Sequence, residues 1–280
     1  MRIKLAAATA LAALVGYTAA QALPGSARAQ PAACHAVLSL VAHGQGSPDD
    51  LAWDGRRLLV SDINRGTVGV VTHGRVRTLI SHLREPEGMV PGPHGTVIVA
   101  EQATNSVLEV DLANGTRVTL AKLPLPKGKS GIDGINADGR TAVFVPDSAR
   151  GRLYVLHLQS RKLALVAKAM IRPVAATGWA GAVVVADEYA NAVWRLGRTR
   201  TRLAKVGLPD DFAVISHHLI AVSLLGQVWE VAPHLRMLSS AFAPTATDPQ
   251  GLAADGPDAV LVADQERNAI YRLGGLSGCL

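Results

Sequence analysis

The chain has little cysteine and no dense block of charge. Only Cys34 and Cys279 occur in 280 residues, with no Cys-x-x-Cys spacing, which argues against a thiolate zinc or redox centre. No run of five basic residues and no basic helical stripe is present, so the formal net charge of +6 does not point to nucleic acid as a partner. Beyond residue 29 no apolar run approaches the roughly 20 residues a membrane-spanning helix needs. A Gly-x-Ser-x-Gly elbow, a His-Glu-x-x-His helix and a phosphate-binding glycine loop are all missing, which removes the chemistries those motifs carry. No Gly/Ser-rich or charged linker divides the chain, so one domain is the economical reading.

The amino terminus stands apart from the rest. Arg2 and Lys4 form a charged start, residues 5–15 are apolar, and Ala27, Arg28 and Ala29 make a small-x-small cleavage site. This pattern predicts a signal peptide over residues 1–29 and a periplasmic or secreted protein. Its removal leaves 25 basic and 22 acidic residues, a mature charge of +3. The segment before Cys34 is Pro31, Ala32, Ala33, without the large aliphatic residue that a lipoprotein signal carries three positions ahead of its cysteine. In an exported chain the two cysteines, bracketing everything between them, predict a disulfide between Cys34 and Cys279. By loop-entropy arithmetic such a closure is worth roughly 5 kcal/mol.

Between the cysteines lies a repeat. Hexads start at Gly66, Asn105, Gly151, Asn191, Gly226 and Asn268, spaced 39, 46, 40, 35 and 42 residues apart. At that period each unit is one supersecondary element that must stack on its neighbours to bury its apolar face. Aligned, the units predict four strands each. The first begins at Pro48, Pro86, Ile132, Pro173, Pro209 or Pro249, and an Asp-Gly hairpin often comes next, as at Asp54-Gly55 and Asp138-Gly139. The second strand is an unbroken apolar run, near 58–60, 97–100, 142–145, 183–186, 219–222 and 260–263, as expected for burial on both faces. The hexad is the third strand, with an aromatic at its fourth position in Tyr154, Trp194, Trp229 and Tyr271, a column expected to pack between sheets. The fourth strand is more polar and belongs at the rim.

The sixth unit stops at Leu280 after three strands, and residues 35–42 have the length and apolar content to supply the fourth. Pairing them beside residues 270–273 closes a ring and brings Cys34 towards Cys279. The expected fold is therefore an all-β, six-bladed propeller over residues 30–280, with an open solenoid as the alternative. Its blades lie near 48–83, 86–126, 131–172, 173–208, 209–243 and 249–280, the last completed by 35–42.

Four units place an acid shortly before an asparagine: Asp62 with Asn64, Glu101 with Asn105, Asp187 with Asn191, and Asp264 with Asn268. With the apolar strand before and the Val or Ile after, this pattern resembles the NHL-repeat propellers and the wider gluconolactonase-like and strictosidine-synthase-like group. The simplest role for these acids is hairpin capping, since a strand-end Asp accepts backbone amides and Asn tolerates the left-handed conformation.

Acids at the start of the inner strands carry more chemistry. Asp49, Glu87, Asp133 and Asp210 hold one equivalent position, which Val174 and Gln250 complete. Carboxylates converging on a propeller channel repel unless they are protonated, hydrated or bridged by a cation, and an oxygen-only set would favour Ca²⁺ or another hard divalent ion. Gluconolactonase-like enzymes hold such a metal with a Glu, an Asn and an Asp. Glu87 and Asp133 are similar to the first and last of these, although here they lie in adjacent units with no Pro-Asn-Gly between. Two readings follow: a monomeric module binding a small molecule or protein on one face, and a metal-dependent hydrolase or lyase acting at the channel mouth. The adjacent His217 and His218 are expected in an exposed turn.

Overall fold

The computed structural model describes residues 36–280 apart from 45, 140 and 243–246. The expected signal peptide and Cys34 lie outside the described residues. Among those described, no helix is long and apolar enough to cross a membrane.

Six four-stranded antiparallel sheets follow one another around a ring. Blade one runs through Pro48–Asp54, Arg57–Asp62, Thr67–Thr72 and Arg75–Ile80 from the axis outwards, and the other blades repeat that order. In the sixth, Val37–His43 pairs with Ala269–Gly274 as its outermost strand, with Leu38 opposite Leu273 and Leu40 opposite Tyr271. The chain's first strand thus completes its last blade, as the missing strand required, and the open solenoid is excluded.

Each gap between neighbouring blades is filled by its own apolar cluster, and the second strands supply much of it because both their faces are covered. Leu51, Leu58 and Val60 of blade one meet Ala253, Leu261 and Ile270 of blade six in the gap that closes the ring. Tyr154, Trp229 and Tyr271 pack against such clusters, in line with the expected aromatic column. Trp194 differs: its indole N–H donates to Asp187 at 3.1 Å, and Arg200 lies over its ring.

The Gly-or-Asn rule at each hexad's first position has a backbone cause. Gly66, Asn105, Gly151, Asn191, Gly226 and Asn268 all sit at φ between 51° and 78°, the left-handed region these two residues tolerate best. At Gly151 a side chain would also strike the Met170 carbonyl, 2.1 Å from where its Cβ would stand. The acids before the hexads cap and tie down these turns as expected, and also clamp the connection between blades. Asp187 accepts the backbone N–H of Arg172 at 2.7 Å, Glu101 that of Arg84 at 2.9 Å, and Asp264 that of Asp248 at 3.2 Å.

Two sequence expectations need correction. The inner strand of blade three is only Asn136–Asp138, so residues 132–135 do not pair with their blade's second strand, and the Asp133 carbonyl instead accepts the N–H of Gly88 in blade two at 3.4 Å. Here backbone packs on backbone instead: a Cβ on Gly131 would lie 2.2 Å from the Gln102 carbonyl oxygen, and one on Gly134 2.9 Å from that of Val174. The segment follows its neighbours rather than its own second strand. His218, expected in an exposed turn, is buried, with Nδ1 2.6 Å from Oε1 of the fully buried Glu230, while Arg236 binds the other oxygen of that carboxylate. Only His217 is exposed.

Candidate functional site

Five of the six inner strands begin at a proline, where the missing N–H is tolerated, and a β-bulge follows at once. In blade one Pro48 pairs with Asp62 and Leu51 with Val60, so Asp49 and Asp50 together oppose the single residue Ser61. Equivalent shifts follow Pro86, Pro209 and Pro249. A bulge re-aims two consecutive side chains, and here it separates two jobs.

The second bulge residue ties blades together. Asp50 accepts the N–H of Met89 in blade two at 2.5 Å, and Asp211 that of Leu252 in blade six at 2.8 Å. Where this position is glycine the backbones approach directly: a Cβ on Gly88 would lie 2.1 Å from the Ile135 nitrogen, and one on Gly251 2.4 Å from the Asp49 carbonyl oxygen. Sequence reasoning passed over Asp50 and Asp211, although the doubled Asp after Pro48 and Pro209 was a visible signal.

In blades one, two and five the first bulge residue is the acid singled out from the sequence, and in blade three Asp133 stands at the corresponding place ahead of the short inner strand. Asp49, Glu87, Asp133 and Asp210 are all more than nine-tenths buried and lie at one end of the axis, within electrostatic reach of one another. Burial, then the charge of Asp133, pushes Asp49, Glu87 and Asp210 well above the usual carboxylate range. Burial likewise raises Asp50 well above that range and carries Asp211 up to about 6. Gln265 donates to Asp49, and Asn136 reaches towards Asp211 at 3.3 Å, from blade three to blade five. Asp133 raises Glu87 both by its charge and as a hydrogen-bonding neighbour, a contact two carboxyls make only when one of them is protonated.

The cation in this ring comes from the chain itself. Arg172 places Nη2 2.6 Å from Oδ2 of Asp133 and turns Nη1 to the buried Glu188. Its guanidinium lies 5.2 Å from the centroid of the Tyr189 ring. Burial opposes its charge, but Asp133 and the surrounding acids carry it above the ordinary arginine value. Arg172 lies on the connection leading into blade four, the blade whose own acid position is Val174. Beside the mouth, Arg172 also lines a polar cleft of about 360 Å³ with Lys129, Ser130, Ser148, Ile171 and Tyr189.

As arranged, these residues do not fit a divalent cation. Among the described residues no three His, Cys, Asp or Glu side chains are disposed to ligate one metal ion. Asp133 is taken up by Arg172 on one side and Glu87 on the other.

No protein-family model and no curated protein matches the chain. Solved structures do match. A gluconolactonase from Xanthomonas campestris superposes with a TM-score of 0.69 at 17% identity, covering 85% of this chain and 89% of that one. A luciferin-regenerating enzyme gives 0.70 at 14% identity, covering 86% and 96%. Virginiamycin B lyase from Staphylococcus aureus gives 0.64 at 12% identity, covering 85% and 98%. At such identities the likeness is one of fold, and in fold the structural neighbours of this chain are gluconolactonase-like and other six-bladed β-propellers.

Proposed function

We propose that the protein is an exported propeller that takes a small, oxygen-rich molecule at its channel mouth and processes it by proton transfer, as a hydrolase or lyase. The observation that carries this is the apposition of two buried carboxyls, Glu87 and Asp133, with Arg172 on Oδ2 of Asp133. Glu87, raised well above the usual carboxylate range, is the proton donor of the pair. Glu87 can protonate a leaving-group oxygen and, once ionised, accept a proton from water or substrate. Asp133, fixed by Arg172, holds the pair in register, and the cleft beside the mouth gives the substrate a place to lie. The fold likeness to a gluconolactonase and a lyase supports a reaction of that kind. Calcium, the ion an oxygen-only donor set would favour, would have to displace Arg172 from Asp133 to bind here.

Turnover of a lactone, ester and elimination-substrate panel tests the proposal. Glu87→Gln and Asp133→Asn should each lower kcat about 10²- to 10⁴-fold with the fold intact. Turnover unchanged in both variants would sink it. A binding role without chemistry is the second reading, and it rests on the exposed Ile171 and Tyr189 that edge the cleft. Ligand binding that depends on these two residues, with no turnover, would favour it.

Export, a disulfide between Cys34 and Cys279, and a monomeric state belong to the same proposal. Ala36, two residues after Cys34 in the sequence, packs against the apolar cluster that contains the buried Cys279. Non-reducing peptide mapping of periplasmic material tests the pairing, and Cys279→Ser should cost about 2–5 kcal/mol.

A further inference from the structure

Arg172 is the most firmly placed side chain at the mouth. Its backbone N–H is held by Asp187 at 2.7 Å, the following Pro173 fixes the strand start, and its guanidinium is gripped by Asp133 and Glu188. Tyr189 lies against it within cation–π distance. Around Asp133 and Arg172 stand Glu87, Asp49 and Asp210, three further buried carboxyls with no guanidinium or ammonium ion-paired to them among the described residues. Beyond protonation, such a ring is relieved by a positive charge among its members, either a bound ion or a tethered one. The tethered one comes from the connection into the single blade that presents an aliphatic residue, Val174, instead of an acid or amide.

We propose that Arg172 is a built-in counter-cation that takes the place of a divalent metal at the channel mouth, so that the intact site has no need of one. A guanidinium differs from a metal ion in ways that matter here. It stays charged, donates bidentate planar hydrogen bonds, and cannot be removed by a chelator. It also holds Asp133 oriented beside Glu87, whereas a divalent ion would draw both carboxyls to itself and away from the guanidinium. The inference concerns the same residues as the proposed function but does not need its chemistry, because the test uses no substrate.

Calcium, magnesium and manganese are titrated separately into the full chain by calorimetry, for the native protein, Arg172→Met and Arg172→Lys. The native protein should take up no stoichiometric ion, and its melting temperature should not respond to chelator. Arg172→Met should gain one bound divalent ion per chain, and Asp133→Asn added to it should abolish that gain. Arg172→Lys, which keeps the charge, should gain none. A stoichiometric ion in the native protein that is lost in Glu87→Gln would overturn the inference, and this arm stands even if Arg172→Met does not fold. A folded Arg172→Met that binds no ion would overturn it too. Loss of turnover in Glu87→Gln alongside either outcome would leave the proton-transfer reading standing on its own.

Discussion

Two buried glutamates lie at opposite ends of this propeller and are supported in opposite ways. Glu230, at the end away from the mouth, is fully buried and has a cationic or potentially cationic partner on each oxygen, Arg236 on one and His218 on the other. Glu87, at the mouth, is 4% exposed, and its nearest polar partner is another acid. Burial alone therefore does not decide what a carboxylate does. Glu230 is compensated on the spot and holds blade five together. Glu87 is compensated at one remove, through Asp133 to Arg172, and is left with a proton it can give up. Uncompensated buried charge destabilises a fold, so such a cluster is a candidate for function rather than for stability.

The comparison breaks most visibly if the two glutamates respond alike to neutralisation. Glu230→Gln strips the buried His218 and the partly exposed Arg236 of their anion and should cost about 3 kcal/mol in urea unfolding, the lower end of the range because Arg236 retains access to water. Glu87→Gln should be neutral or slightly stabilising in the same assay. Equal losses would mean that Glu87 is as structural as Glu230.

The pH dependence of stability comes next. Asp49, Asp50, Glu87, Asp210 and Asp211 all have folded values above their unfolded ones. The folded state therefore holds more protons. Their contribution is fully present below the ordinary carboxylate range and is lost as pH rises through the folded values, for Asp211 through about 6. Melting temperature should fall between about pH 4 and pH 7, and Asp211→Asn should flatten the lower part of that slope. A melting temperature that climbs across this window would contradict the assignment of these acids.

The smallest effect sharpens the contrast at the far end. His217 is exposed and takes part through its backbone carbonyl, which accepts the Trp179 indole N–H at 2.8 Å. His217→Ala should therefore stay within about 0.5 kcal/mol of the native protein. His218→Ala, which removes the imidazole from Glu230, should cost clearly more.

Much of this was open to reading in the sequence, and the reasons differ by feature. The hexads, the Gly-or-Asn rule and the missing last strand repeat six-fold or break that repetition, so alignment of the chain with itself exposes them. The inner acids also occupy a repeat position, which is why Asp49, Glu87, Asp133 and Asp210 could be placed on one end of the axis. Arg172 could not be found that way, because it lies just ahead of the repeat position and occurs in one blade only; its sole trace was the absence of an acid at Val174. The course of residues 132–135 away from their own second strand depends on contacts with two other blades, which strand patterning does not encode. His218 was misjudged because adjacency to His217 carries no information on burial, and its partner Glu230 sits at a hexad position that elsewhere holds Val70, Glu109, Val155, Arg195 or Arg272.

The central claim is that burial and the charge of Asp133, which Arg172 holds in place, keep Glu87 well above the usual carboxylate range. A carbon-detected NMR titration of the side-chain carboxyls, native protein against Asp133→Asn, measures it directly. The account predicts that Glu87 holds its proton to higher pH in the native protein than in Asp133→Asn, where the charge of Asp133 is gone. Glu87 ionising in the ordinary acidic range in the native protein would contradict it.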